Sequence, residues 1–98
     1  MLFEFDDPDL ERLLTDGTYT GGRPPTVVKG FRKVMGFVRA APDERALYAM
    51  HGLNFHRLVR DRAGQHSLKI NDQWRLIVEL RGDGPKTRIG VIEIVDYH

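Results

Sequence analysis

Apolar side chains recur at helical spacing as far as Ala41 and at every second position beyond Gly52, so a helical layer must hand over to an antiparallel sheet near the middle of the chain. Met1 to Phe5 reads as a short strand. Asp7-Pro8-Asp9 then supplies an N-cap, a proline suited to the first helical turn and acids that favour a helix N-terminus. Leu10, Leu13 and Leu14 share one face of that helix, and Gly17 ends it. After the turn Gly21-Gly22-Arg23-Pro24-Pro25, a second helix is predicted from Thr26 to Ala41. It carries Val27, Phe31, Val34, Met35 and Val38 on one side and Lys29, Arg32, Lys33 and Arg39 on the other. Asp43 to His51 reads either as a further helical turn or as an irregular crossover.

Four strands are predicted beyond Gly52: Phe55–Val59, His66–Asn71, Trp74–Arg81 and Arg88–Val95. In the third, Trp74, Leu76, Val78 and Leu80 alternate with Arg75, Ile77, Glu79 and Arg81, which predicts a core face including Trp74 and a largely polar face including Arg75. The last strand is apolar on both sides and is expected to be internal. The fold class is α+β: a strand and helical hairpin packed on an antiparallel sheet whose other face is open to a ligand.

A chain of 98 residues is one domain with one modest core, taken here as residues 1–98. It contains no cysteine, which excludes disulfides and thiolate metal sites and suits a reducing cytosol. Its four histidines lack a zinc spacing, so no metal or other cofactor is expected, and no apolar run is long enough for a membrane span. The net charge of +1 conceals an asymmetry: residues 1–20 sum to −5 and the remainder to +6. A basic body favours an anionic partner such as nucleic acid, and the acidic Asp6–Asp16 segment offers a contact for a basic partner strip. His51 and His66 read as structural or surface residues.

The most chemical stretch is the end, where the apolar strand runs directly into Asp96-Tyr97-His98. Together with Asn54-Phe55-His56-Arg57-Leu58 and the block from Arg62 through Asn71-Asp72-Gln73-Trp74-Arg75-Leu76, it resembles the HigB branch of the RelE/ParE toxins, the killer halves of bacterial type II toxin–antitoxin pairs. Residues 1–50 match only in element order. The resemblance implies a RelE-like, microbial-ribonuclease-type fold that enters the ribosomal decoding site and cleaves messenger RNA. It also implies neutralisation by a HigA-type helix-turn-helix antitoxin, through which alone operator DNA would be contacted, and a cytoplasmic location.

By position, the resemblance maps the family's catalytic histidine to His56 and its catalytic terminus to Asp96, Tyr97 and His98. The residue chemistry agrees. Cleavage without a metal needs a base for the 2′-hydroxyl, an acid for the leaving 5′-oxygen and cations for the phosphate. His56 and His98 are the proton-transfer candidates, their division into base and acid left open. Asp96 is suited to orient an imidazole and Tyr97 to donate to the phosphate or stack on a base. Arg75, Arg57, Arg60 and Lys69 are the candidate phosphate-binding cations. Where several relatives carry a lysine, three positions after the histidine, this chain has Val59, and Arg60 follows on the opposite side of an extended backbone. Two other readings are a ParE-like poison of DNA gyrase that cuts no RNA, and a degenerate member that binds antitoxin and tunes operon repression. The acid–base cluster speaks against the first, and Val59 sustains the second.

Overall fold

The computed structural model describes residues 1–97. Strand β1 (Phe3–Phe5) leads into helices α1 (Pro8–Thr15), α2 (Pro25–Ala40) and α3 (Glu44–Ala49). Strands β2 (His56–Arg57), β3 (His66–Lys69), β4 (Trp74–Arg81) and β5 (Arg88–Asp96) complete the chain. The sheet order is β1-β5-β4-β3-β2, antiparallel throughout β2 to β5, with β1 pairing parallel to β5. The expected α+β arrangement is present, and β5 is internal. Among the described residues no helix is long and apolar enough to cross a membrane.

Local chemistry accounts for the helices. The Asp7 carboxylate accepts from the Asp9 amide at 2.9 Å and caps α1, whose first turn contains Pro8. Asp43 caps α3 in the same way through the Arg45 amide, resolving the segment that sequence alone left between helix and crossover. Leu10, Leu13, Phe31, Met35, Val38 and Leu47 are buried against Leu68, Leu76, Val78, Ile89 and Val91, so the helices cover one face of the sheet. Gly30 permits α2 to approach the end of β3 closely, since a Cβ there would lie 2.7 Å from Ile70 Cγ2 and 3.0 Å from its carbonyl oxygen.

Three strand expectations are corrected. β2 holds only His56 and Arg57, because Arg60 adopts a left-handed conformation (φ 60°) in a tight turn spanning Arg60–Arg62. β3 ends at Lys69, where Asn71 leaves the ladder and its side chain accepts the amides of Gln73 and Trp74 to form the turn. Trp74 is half-buried and outside the core cluster: it opens β4 opposite Asp96, beyond the reach of the helices.

Most of the acidic N-terminal segment is committed within the chain. Asp6 pairs with Arg81, Asp7 caps α1, Asp9 bonds Tyr19 and Arg23, and Asp16 binds Thr18 and Arg12. Hydrogen bonds from Tyr19 and then Arg23 hold the Asp9 carboxyl below its ordinary range. The charge asymmetry of the sequence therefore serves local structure to a large extent.

Candidate active site

Register decides which side chains share the open face. His56, Ser67, Ile77 and Glu93 lie directly opposite one another across β2, β3, β4 and β5, and Lys69, Arg75 and Val95 form the next row on the same side. Between Ile77/Glu93 and Val78/Val91 the pairing shifts by one, leaving Ile92 as the extra residue of a β-bulge. The bulge restores Val91 and Ile89 to the core face after Ile94. Without it, the two halves of β5 would point their apolar residues to opposite sides.

His56 is half-buried on this face. Its Nδ1 is 2.8 Å from the carbonyl oxygen of Asn54, a group that can only accept, so Nδ1 carries a proton and Nε2 of the neutral ring holds the lone pair. Asn54 is itself left-handed (φ 48°), and Ser67 Oγ packs against the ring, 3.4 Å from Nδ1 and 3.3 Å from Nε2. The imidazole is thus held by the Asn54 carbonyl and packed against Ser67, and the carbonyl selects the tautomer.

Arg75 lies on the open face as expected, yet it is only 9% exposed. Its Nη1 donates to the carbonyls of Asn71 (2.5 Å) and Trp74 (3.1 Å), and its Nε has no hydrogen-bond partner among the described residues. The Tyr97 ring covers the guanidinium at 4.8 Å, while the Tyr97 amide donates to the Gln73 carbonyl and extends the ladder past Asp96. Tyr97 is half exposed, so the buried cation presents an aromatic surface to solvent. Lys69 pairs with Asp72 at 3.0 Å and stands beside Arg75.

The remaining sequence candidates are placed elsewhere. Asp96 pairs in register with Trp74 on the helix side of the sheet, the side opposite Arg75, and accepts from Gln73 Nε2 at 3.1 Å. Arg57 is opposite His66, also on the helix side. With Arg60 it borders a cleft of about 490 Å³ at the sheet edge, floored by Leu58, Leu80 and His66, where Val59 is 72% exposed. The structure therefore gathers His56, Lys69, Arg75 and Tyr97 on one face, turns Arg57 and Asp96 to the other and leaves Arg60 in the turn at the sheet edge. His98 lies outside the described residues.

Sequence reasoning missed Ser67, the Asn54 carbonyl and an ion pair between Arg62 and Glu93. Ser67 was accessible in principle, since period two and a short hairpin place it opposite His56; Arg62 and Glu93 are 31 residues apart and carry no local signal. His66 is buried, stacked on Phe55 and within 3.1 Å of the Tyr48 hydroxyl through Nε2. Burial, reinforced by the Arg57 charge, pushes its imidazole below the usual histidine range, as befits a structural residue. At the far end of β4 and β5, Arg81 is clasped by Asp6, Glu4 and Glu79, while Arg88 also binds Glu4. These bonds lower the Asp6 and Glu4 carboxyls, and that end of the open face is an internally paired cluster of two arginines and three carboxylates.

A family model described as the RelE-like toxin of the type II toxin–antitoxin system HigB matches residues 3–98. The chain belongs to the HigB-like toxins. The match extends the resemblance from the second half of the chain through the N-terminal strand and helices. Among solved structures, this HigB-like toxin is similar to a YoeB/ParE toxin from Agrobacterium tumefaciens, with 17% identity, a TM-score of 0.56 and 100% of each chain covered. It is also similar to the RelBE2 toxin–antitoxin complex from Mycobacterium tuberculosis (16%, TM-score 0.53, covering 98% of this chain and 96% of the other). The YoeB–YefM complex from Staphylococcus aureus gives 17%, a TM-score of 0.56 and coverage of 100% and 98%. Comparison with curated protein sequences gives no match. At these identities the structures speak to the fold; membership of a type II toxin family assigns the chain an antitoxin partner.

Proposed function

We propose that the protein is a ribosome-dependent endonuclease that cleaves messenger RNA by metal-independent acid–base chemistry, thereby arresting translation, and that a HigA-type antitoxin neutralises it in the cytoplasm. Operator DNA is contacted only through that antitoxin. The observation that carries this reading is the sharing of one sheet face by His56, Lys69, Arg75 and Tyr97, with His56 fixed so that Nε2 is the basic nitrogen.

In the reaction, one histidine takes the proton of the 2′-hydroxyl as that oxygen attacks the adjacent phosphorus. The other protonates the departing 5′-oxygen, leaving a 2′,3′-cyclic phosphate and a 5′-hydroxyl end. His56 and His98 share these roles, and the division between them follows from which side of the phosphate His56 Nε2 meets. Lys69 supplies a mobile cation to the phosphate, displacing its exposed contact with Asp72. Arg75 contributes positive potential from a fixed position and supports Tyr97, whose ring is available to stack on a base. Asp96, which pairs opposite Trp74 on the other side of the strand, serves to orient an imidazole and does not meet the phosphate.

The test is cleavage of a defined mRNA, free and ribosome-bound, by wild-type protein, His56→Gln and His98→Gln, with EDTA present and the new ends mapped. Cuts on the ribosome alone, insensitive to EDTA and lost in both variants, are expected. A folded wild-type protein that arrests growth without cutting RNA points instead to gyrase. Absence of both activities favours the antitoxin-binding role, to which the exposed Val59 at the family's lysine position gives structural support.

A further inference from the structure

One ion pair on the open face is built across the sheet rather than along it. Arg62 belongs to the tight turn between β2 and β3, yet its Nη2 lies 2.6 Å from Oε1 of Glu93 on β5. Two strand spacings separate β3 from β5, about 10 Å. The long arginine side chain, met by the glutamate, reaches across that gap over the open face. Ser67 and Ile77, which register places on the same open side, are 1% and 2% exposed, so this row of the face is covered by side chains. Arg62 Nη1 is held by the Gln65 side chain at 3.0 Å, so one edge of the guanidinium is fixed within its own loop and the other is lent to Glu93.

The arginines of this face differ in how firmly they are engaged. Arg75 is buried, with Nη1 bonded to two backbone carbonyls; Arg81 and Arg88 share a carboxylate cluster at the far end of the strands. Arg62 and Glu93 have side chains 41% and 44% exposed, and exposed pairs of this kind are weak enough for an incoming anion to exchange. A guanidinium fork matches two phosphate oxygens as well as it matches a carboxylate. Glu93, in the same row as His56, would repel an RNA phosphate if left unpaired.

We propose that Arg62 is a phosphate-binding residue of this face, held in reserve by Glu93 and surrendered to the RNA backbone when a strand enters. This rests on the reading of the face as an RNA-binding surface. Glu93 acts as a competitor that holds the Arg62 guanidinium until RNA replaces it, and Gln65 keeps the guanidinium oriented through the exchange.

The experiment measures binding of a short fluorescein-labelled, 2′-O-methylated single-stranded RNA, which cannot be cleaved, by anisotropy at a series of salt concentrations. Arg62→Gln is expected to weaken binding and to reduce the slope of log K against log salt by about 0.7, the share of one phosphate on a single strand. Glu93→Gln is expected to tighten binding about two- to fivefold, the fold-change corresponding to release of one exposed pair. The decisive term is the coupling: in an Arg62→Gln background the gain from Glu93→Gln must shrink, because the competitor then has nothing to withhold. Equal gains in both backgrounds, or weaker binding by Glu93→Gln, would overturn the proposal while leaving an RNA-binding face intact. A folded wild-type protein that binds no RNA even at low salt overturns both. If Arg62→Gln fails to fold, Arg62→Lys, which keeps charge but loses the fork, takes its place, with the same coupling expected in weaker form.

Discussion

The position of Arg75 beneath Tyr97 sets in numbers how firmly that ring is held. The guanidinium lies 4.8 Å from the ring, within the ~6 Å at which a cation is drawn to an aromatic face. Such contacts contribute about 0.5–1 kcal/mol when exposed and ~2 kcal/mol when desolvated. Arg75 is 9% exposed and Tyr97 52%, so an intermediate value of about 1 kcal/mol follows. Neither single substitution isolates it. Arg75→Met also removes two carbonyl bonds and the cost of burying the charge, and Tyr97→Leu also changes apolar contact area. In the cycle formed by both singles and the double variant those terms cancel, and a coupling of about 1 kcal/mol remains. Urea unfolding followed by far-UV circular dichroism and by the fluorescence of the single tryptophan, Trp74, gives the four free energies and tests whether the transitions coincide. Tyr97→Phe must keep the coupling, since the ring and not the hydroxyl faces the cation. Additivity of Arg75→Met and Tyr97→Leu within ~0.3 kcal/mol would refute the contact and with it the account of how Tyr97 is positioned.

Helix α2 offers an internal control for packing. Gly36→Ala meets nothing within 4 Å and should stabilise by about 0.5–1 kcal/mol, whereas Gly30→Ala drives a methyl into Ile70 and should cost about 1 kcal/mol net, lowering Tm by roughly 4–8 °C; a Gly30→Ala protein as stable as Gly36→Ala contradicts the close approach. Because burial depresses the His66 imidazole, the unfolded chain binds that proton more tightly. Stability should be complete above the unfolded pKa of about 6.5 and fall as pH drops through it toward the folded value. Urea midpoints across that window should flatten in His66→Phe, and an unchanged slope would assign the titration to another group. Ser67→Ala should slow single-turnover cleavage by up to about 10-fold, the worth of one neutral contact that holds the His56 ring in place; an unaltered rate would make Ser67 a packing residue only.

How much of the protein was legible in advance depended on how local the cause was. Asp7, Pro8 and the leucines of α1 act within a few residues of one another, and so do the turn-forming Asn71 and the alternating strand residues Leu76 and Val78. Element order, fold class and the open-face placement of Arg75 followed from such short-range patterns. The family resemblance carried His56 and Tyr97 by position. Trp74 misled because alternation assigns a face but not whether another layer reaches far enough to cover it.

What sequence by itself determined was the alphabet of elements and the residue types available for proton transfer and phosphate binding, because capping, period and side-chain chemistry are properties of neighbours in the chain. Tertiary structure alone decided which of those residues meet. The registers of β2 on β3 and of β3 on β4 put His56, Lys69 and Arg75 together and sent Arg57 to the other side, β4 on β5 sent Asp96 there, and the Ile92 bulge kept Val91 and Ile89 in the core. The Tyr97 ring over Arg75 and the reach of Arg62 to Glu93 were likewise settled by folding, since contacts across 22 and 31 residues are created when strands pair and have no counterpart in any local stretch of sequence.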